Sequence, residues 1–147
     1  MPSTADPSNP SVWKIDQTFP SVFGKASRLI DDVLAQMTAL GWNGRDIFAV
    51  NMALEESVTN AIEHGNHCNP EKHFRVTCTV SEKLVFIRVR DEGKGFRRDL
   101  IPNPTDDENL ETPSGRGTLL IQGFMTRVSY NDAGNEITME KEPTPDL

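Results

Sequence analysis

Two side chains at helical spacing open the chemical case. Glu56 and Asn60 stand four residues apart in the run Leu54-Glu55-Glu56-Ser57-Val58-Thr59-Asn60-Ala61-Ile62. On a helix, residues i and i+4 share a face. That face lies to one side of the apolar stripe Leu54, Val58, Ile62. A carboxylate there can orient a water or accept a hydroxyl proton. An amide oxygen is a neutral ligand for Mg²⁺, which takes oxygen ligands and few of them from protein. The neighbouring Glu55 sits about 100° round the helix from Glu56, off the Asn60 face.

A second group is Asp91-Glu92-Gly93-Lys94-Gly95-Phe96. Asp91 is in phase with Val85, Ile87 and Val89, so the alternation aims a carboxylate inward at the end of a strand. A buried carboxylate needs donors, and the amino group of adenine is one. Gly93 and Gly95 let the backbone turn sharply and approach a ligand closely. The third group, Ser114-Gly115-Arg116-Gly117-Thr118, runs straight into apolar Leu119-Leu120-Ile121. A glycine turn feeding a helix N-terminus makes a phosphate cradle, and Arg116 can add a charge-assisted contact. Singly, each group also fits a polar helix face, an Asp-Gly turn or a loop end. Together and in this order they are far more specific.

The elements that position these groups follow from periodicity. Trp13, Ile15 and Phe19 alternate over 12–19, a first strand. Ser21 is a candidate N-cap for a helix carrying Val22, Phe23, Ala26, Leu29, Ile30, Val33, Leu34 and Met37, stopped near Gly41. A second helix is expected from Arg45 to His64, closed by Gly65 in the left-handed conformation. Strands are expected over 74–80 and 84–90. Residues 97–114 are polar and proline-containing, a mobile or functional loop. A short helix over 117–124 precedes a hairpin, 126–131 and 136–141, across Asp132-Ala133-Gly134. The order β-α-α-β-β-loop-α-β-β predicts an α/β (α+β) two-layer sandwich with a mainly antiparallel sheet and helices on one face. The domain is read as 12–141, with a disordered N-terminal tail over 1–11 and a C-terminal tail over 142–147.

The 147 residues fit one domain, with 36% hydrophobic and 25% charged residues. The net charge of −7 comes from 15 basic and 22 acidic residues. No basic stripe stands out, which argues against nucleic-acid binding. An anionic ligand must then be held by backbone N–H groups, a metal and a few basic side chains. No apolar run has the length of a membrane span, and Met1–Asp6 does not read as a secretory signal. A cytoplasmic location is the expectation. Cys68 and Cys78 are expected to be reduced thiols. His64, His67, Cys68 and His73 match no standard zinc spacing and read as a polar loop after a helix.

Leu54 to Gly65 resembles the N box of the GHKL (histidine-kinase-like) superfamily. Asp91-x-Gly93-x-Gly95 resembles its G1 box and Gly115-x-Gly117 its G2 box. Phe124-Met125 and Gly134-Asn135-Glu136-Ile137 are similar to the RsbW-type anti-sigma-factor serine/threonine kinases, and the resemblance covers about 19–141. It implies a Bergerat fold that binds ATP with Mg²⁺. It implies that Asn60 is the metal-binding residue, Glu56 the general base, Asp91 the reader of the adenine amino group and 97–117 the ATP lid. It further implies phosphorylation of a STAS-type antagonist, sequestration of a sigma factor and a homodimer. The chain departs from the pattern at Pro113, where relatives often carry a basic residue. It departs again at Asn135, where the superfamily often has Thr.

Three rivals remain to be weighed. A non-catalytic nucleotide-dependent binding module shares every ATP residue and differs only at the base. A sensor histidine kinase needs a phosphoacceptor His ahead of the N box, and the three His here, His64, His67 and His73, all follow Asn60. A gyrase-like ATPase calls for a second domain.

Overall fold

The computed structural model describes residues 12–93 and 121–145. Alternation at the start of the chain produces strand β1, Trp13–Pro20, in which Ile15 is buried. Helix α1, Ser27–Ala39, buries Leu29, Ile30, Val33 and Met37. Helix α2, Gly44–Asn60, buries Ala49, Val50, Ala53, Leu54 and Val58. Strands β2, His73–Val80, and β3, Val85–Arg90, follow. Residues 121–124 are helical, and β4, Arg127–Tyr130, and β5, Glu136–Lys141, form the final hairpin.

The five strands pair antiparallel throughout, in the order β1-β2-β3-β5-β4. Ile15, Cys78, Ile87, Met139 and Val128 sit in register across the sheet. They face the apolar sides of α1 and α2 and share one core with them. Fully burying a side chain of this size contributes about 1.5–3 kcal/mol. On the opposite face, Asp16 holds Arg75 through two bonds of 2.8 and 2.6 Å, and Arg127 reaches Glu140 at 2.7 Å. The two-layer α+β architecture expected from periodicity is thus the one observed.

Three local expectations are corrected. Ser21 does not cap α1. The helix starts six residues later at Ser27, with no side-chain cap, because Gly24 at φ +88° turns the chain first. Val22 and Phe23 consequently lie exposed outside the helix. The working helix cap is Asn43 at α2, whose side-chain oxygen accepts from the Asp46 N–H at 2.8 Å, worth about 1 kcal/mol.

The second correction concerns the end of α2. It passes into a π-helical turn, Ala61–Gly65, and the left-handed residues are His67 and Cys68, at φ 51° and 57°. The Asn66 N–H donates to the Ala61 carbonyl at 2.9 Å and the Cys68 N–H to the Ile62 carbonyl at 2.7 Å. Gly65 is therefore not the cap.

The third correction is at the C-terminus. The Thr144 N–H and hydroxyl donate to buried Asp46 at 2.8 and 2.6 Å, so this part of the expected tail is tied to α2. Both cysteines are free. Burial, with the nearby Asp16 charge, pushes the Cys78 thiol up to about 12, an inert core position.

Candidate functional site

The break in α2 shapes a cleft. A π turn widens the helix by one residue per turn and recurs at functional sites. Here it carries His64 and Gly65 to one wall, beside Ser57, Asn60 and Ala61. The end of β3 supplies Val89 and Asp91. The β4–β5 hairpin closes the third side with Tyr130, Gly134, Asn135, Glu136 and Ile137. Together these walls form a cleft that is open to solvent. Its walls mix apolar surface from Ala61, Val89 and Ile137 with a few convergent polar groups.

Asp91 is the best defined of these groups. Its own N–H donates to the Asn135 carbonyl at 2.9 Å. Its Oδ1 accepts from the Gly93 N–H at 2.8 Å. Burial pushes its carboxyl up, partly offset by the Gly93 N–H and the charges of Arg90 and Lys72. Among the described residues, Oδ2 receives no hydrogen bond, so the carboxylate keeps acceptor capacity toward the cleft.

Two glycines make room for it. A Cβ on Gly65 would stand 2.2 Å from Asp91 Cγ, and one on Gly93 would stand 2.0 Å from the Gly65 carbonyl oxygen. The demand for glycine at 93 is thus met inside the chain, where two backbones touch beneath the carboxylate. Gly65 was missed as a site residue because Gly after a helix ordinarily signals a left-handed cap.

The cleft brings together Asn60 and Asp91 of the residues singled out by sequence. Glu56 lies one turn before Asn60 on the same side of α2, half-buried, and is not in the cleft wall. Gly95, Gly115, Arg116, Gly117 and the whole of the expected lid, 97–117, fall outside the described residues. Ser57 and His64, inside the N-box run, and Gly134, Glu136 and Ile137, inside the hairpin motif, also line the cleft without having been singled out as site residues, and Tyr130 lines it unannounced by any motif. Only the alternation along β5 points Ile137 inward. Among the described residues the buried His64 Nε2 has no hydrogen-bond partner, and Glu63 Oε2 stands 3.7 Å from it. Orphaned buried polar atoms are uncommon, and this one, like Asp91 Oδ2, leaves hydrogen-bonding capacity beside the cleft among the described residues. Among the described residues no group of three or more His, Cys, Asp or Glu is placed to hold a metal ion.

The histidine kinase-like ATPase domain model matches residues 24–141. The chain is 31% identical to the anti-sigma F factor of Oceanobacillus iheyensis over 103 residues, spanning 66% of this chain and 70% of that protein. It is 30% identical to the anti-sigma F factor of Clostridium novyi over 116 residues, 75% and 80% of the two chains. Among solved structures it is similar to the RsbU and RsbW domains of a Mycobacterium tuberculosis protein, with TM-score 0.59 over 90% of this chain and 33% of that one. At 15% identity that likeness speaks to the fold alone. With the match running from the turn before α1 to the last strand, the chain belongs to the histidine kinase-like ATPase family, and within it the similarity is to the anti-sigma F factors.

Proposed function

We propose that this chain is an ATP-dependent serine/threonine protein kinase of the anti-sigma-factor type. In this reading it phosphorylates a small STAS-type antagonist, sequesters a sigma factor and switches between the two partners. The observation that carries the reading is the cleft itself. Asn60 on α2 and Asp91 at the end of β3 line one cleft together with apolar Ala61, Val89 and Ile137, and Glu56 lies one helical turn before Asn60.

The residues divide the work by chemistry. Asp91 accepts a hydrogen bond from the adenine amino group, for which its Oδ2 is available. Asn60 offers its amide oxygen to Mg²⁺, whose preference for few protein ligands and several phosphate oxygens suits a single neutral donor. A bound Mg²⁺ neutralises charge on the phosphates. Gly93, Gly95, Gly115, Arg116 and Gly117 are assigned to the nucleotide, the last three to its phosphates. Glu56 takes the proton from the acceptor hydroxyl. The hydroxyl oxygen then bonds to the γ-phosphorus, the bond to the β–γ bridging oxygen breaks, and ADP departs. Catalysis of this kind is mostly positioning and electrostatics. A cytoplasmic homodimer is part of the proposal. No helix among the described residues is long and apolar enough to cross a membrane.

The position of Glu56 outside the cleft wall favours one rival, a nucleotide-dependent binding module without phosphoryl transfer. A transfer assay decides between them, using the STAS-type partner recovered by pull-down with ATP and with ADP. Transfer by the wild type supports the kinase. Nucleotide-dependent partner binding without transfer replaces it with the module.

A further inference from the structure

Asn66 is the most completely used side chain near the cleft, yet it does not line it. It is 0% exposed. Its Nδ2 donates to Ser21 Oγ at 2.7 Å and to the His73 carbonyl at 2.9 Å. Its Oδ1 accepts from the Glu92 N–H at 2.9 Å. An amide side chain has two donors and one carbonyl oxygen, so both ends are spent on holding other segments. Those segments are the turn before α1, the start of β2 and the loop leaving β3. The His73 N–H in turn donates to the Glu92 carboxylate, which closes a ring through Asn66, His73 and Glu92.

The ring grips the residue after Asp91. The N–H groups of Asp91, Glu92 and Gly93 go to Asn135, Asn66 and the Asp91 carboxylate respectively. The Asp91 N–H fixes the peptide before it, and Asn66 fixes the peptide after it. Between them the Asp91 side chain is clamped, with Gly65 immediately beneath. The Asn66 N–H also closes the π turn on the Ala61 carbonyl at 2.9 Å. One residue therefore sets the distance between the wall carrying Asn60 and the strand end carrying Asp91.

We propose that Asn66 is a positioning residue for base recognition: it acts through Asp91, holding its carboxylate at the place where a purine amino group is read. This rests on the adenine reading of Asp91 given above. The sequence offers no hint of it, since Asn66 stands in a polar loop where asparagine is ordinary.

The test is calorimetric titration of the full chain with Mg-ATP and with Mg-GTP, alongside thermal melts. Asn66→Ala is expected to weaken ATP binding roughly tenfold, the effect of a lost buried hydrogen-bond partner, and to narrow the preference for ATP over GTP. On an Asp91→Asn background the same substitution should add no more than about twofold, because groups acting through one another are not additive. Asn66→Asp, which keeps the shape and the acceptor toward Glu92 but loses both donors, should give a smaller coupled loss. Wild-type ATP affinity in either folded Asn66 variant, while Asp91→Asn binds weakly, overturns the proposal. So does a loss that adds in full to that of Asp91→Asn, since Asn66 would then be a packing residue alone. If Asp91→Asn itself changes neither affinity nor base preference, the adenine reading fails and takes the proposal with it. Should both Asn66 variants fail to fold, Ser21→Ala releases one Asn66 donor. A coupled loss of ATP affinity in that variant supports the proposal, and wild-type affinity overturns it.

Discussion

Replacing Gly65 by Ala tests whether the Asp91 carboxylate is read by a nucleotide. The added Cβ would stand 2.2, 2.3 and 2.6 Å from Asp91 Cγ, Oδ2 and Oδ1. Unbonded heavy atoms settle at about 3.5–4.0 Å, so the carboxylate must withdraw by roughly an ångström or more. A hydrogen bond set near 2.9 Å does not survive that displacement. Leaving its donor unmet costs about 1–3 kcal/mol, or roughly 5- to 150-fold in ATP affinity. Stability behaves differently. Gly65 lies outside the left-handed region, so Ala gains about 1 kcal/mol of helix propensity. That offsets part of an overpacking cost of about 1–3 kcal/mol. The expected result is a folded protein with a modestly changed melting temperature and a large loss of Mg-ATP binding by calorimetry. Gly44→Ala is the control, since a Cβ there meets nothing within 4 Å. Wild-type affinity in Gly65→Ala would refute the assignment of Asp91 to the nucleotide.

Asp91→Asn should raise the melting temperature of the nucleotide-free protein at neutral pH while weakening ATP. Burial raises the folded-state value of this carboxyl, so its ionised form is a cost that is absent at low pH and grows as pH rises through that value. An unchanged or lower melting temperature at pH 7 counts against this. Glu56→Gln should bind Mg-ATP normally and lose roughly 10²–10⁴-fold in phosphoryl transfer, whereas Glu55→Gln transfers at the wild-type rate; equal rates in both variants remove Glu56 as the base. Thr144→Val strips the hydroxyl donor from Asp46, whose carboxyl burial raises but the two Thr144 donors and Lys141 hold below its usual value. That stabilisation is present above the unfolded carboxylate value of about 3.9 and fades as pH falls through the lower folded value. The variant should lose about 1–2 kcal/mol at pH 7 and unfold in acid at a higher pH than wild type; identical urea and acid midpoints would show that the strap is idle.

Spacing along the chain determined what is local about this protein. Four-residue spacing put Glu56 and Asn60 on one side of α2, and two-residue spacing carried Asp91 into line with Val85, Ile87 and Val89. Gly41, at φ +89°, ends α1 region as its position announces. The two-layer fold followed from the order of such segments. Helix starts and caps were less legible, because the Ser21 hydroxyl has competing partners far along the chain. It donates to the Lys72 carbonyl at 2.9 Å and accepts from Asn66, leaving α1 to begin beyond Gly24. Gly65, Asn66 and Thr144 show the same limit. Each is an ordinary residue in its own neighbourhood, a glycine after a helix, an asparagine in a polar loop and a threonine between prolines. Gly65 matters because β3 ends against it, Asn66 because three segments meet on its amide, and Thr144 because it reaches Asp46, 98 residues away. Those contacts depend on distances that exist only once the sheet and helices have packed, and no local period encodes them.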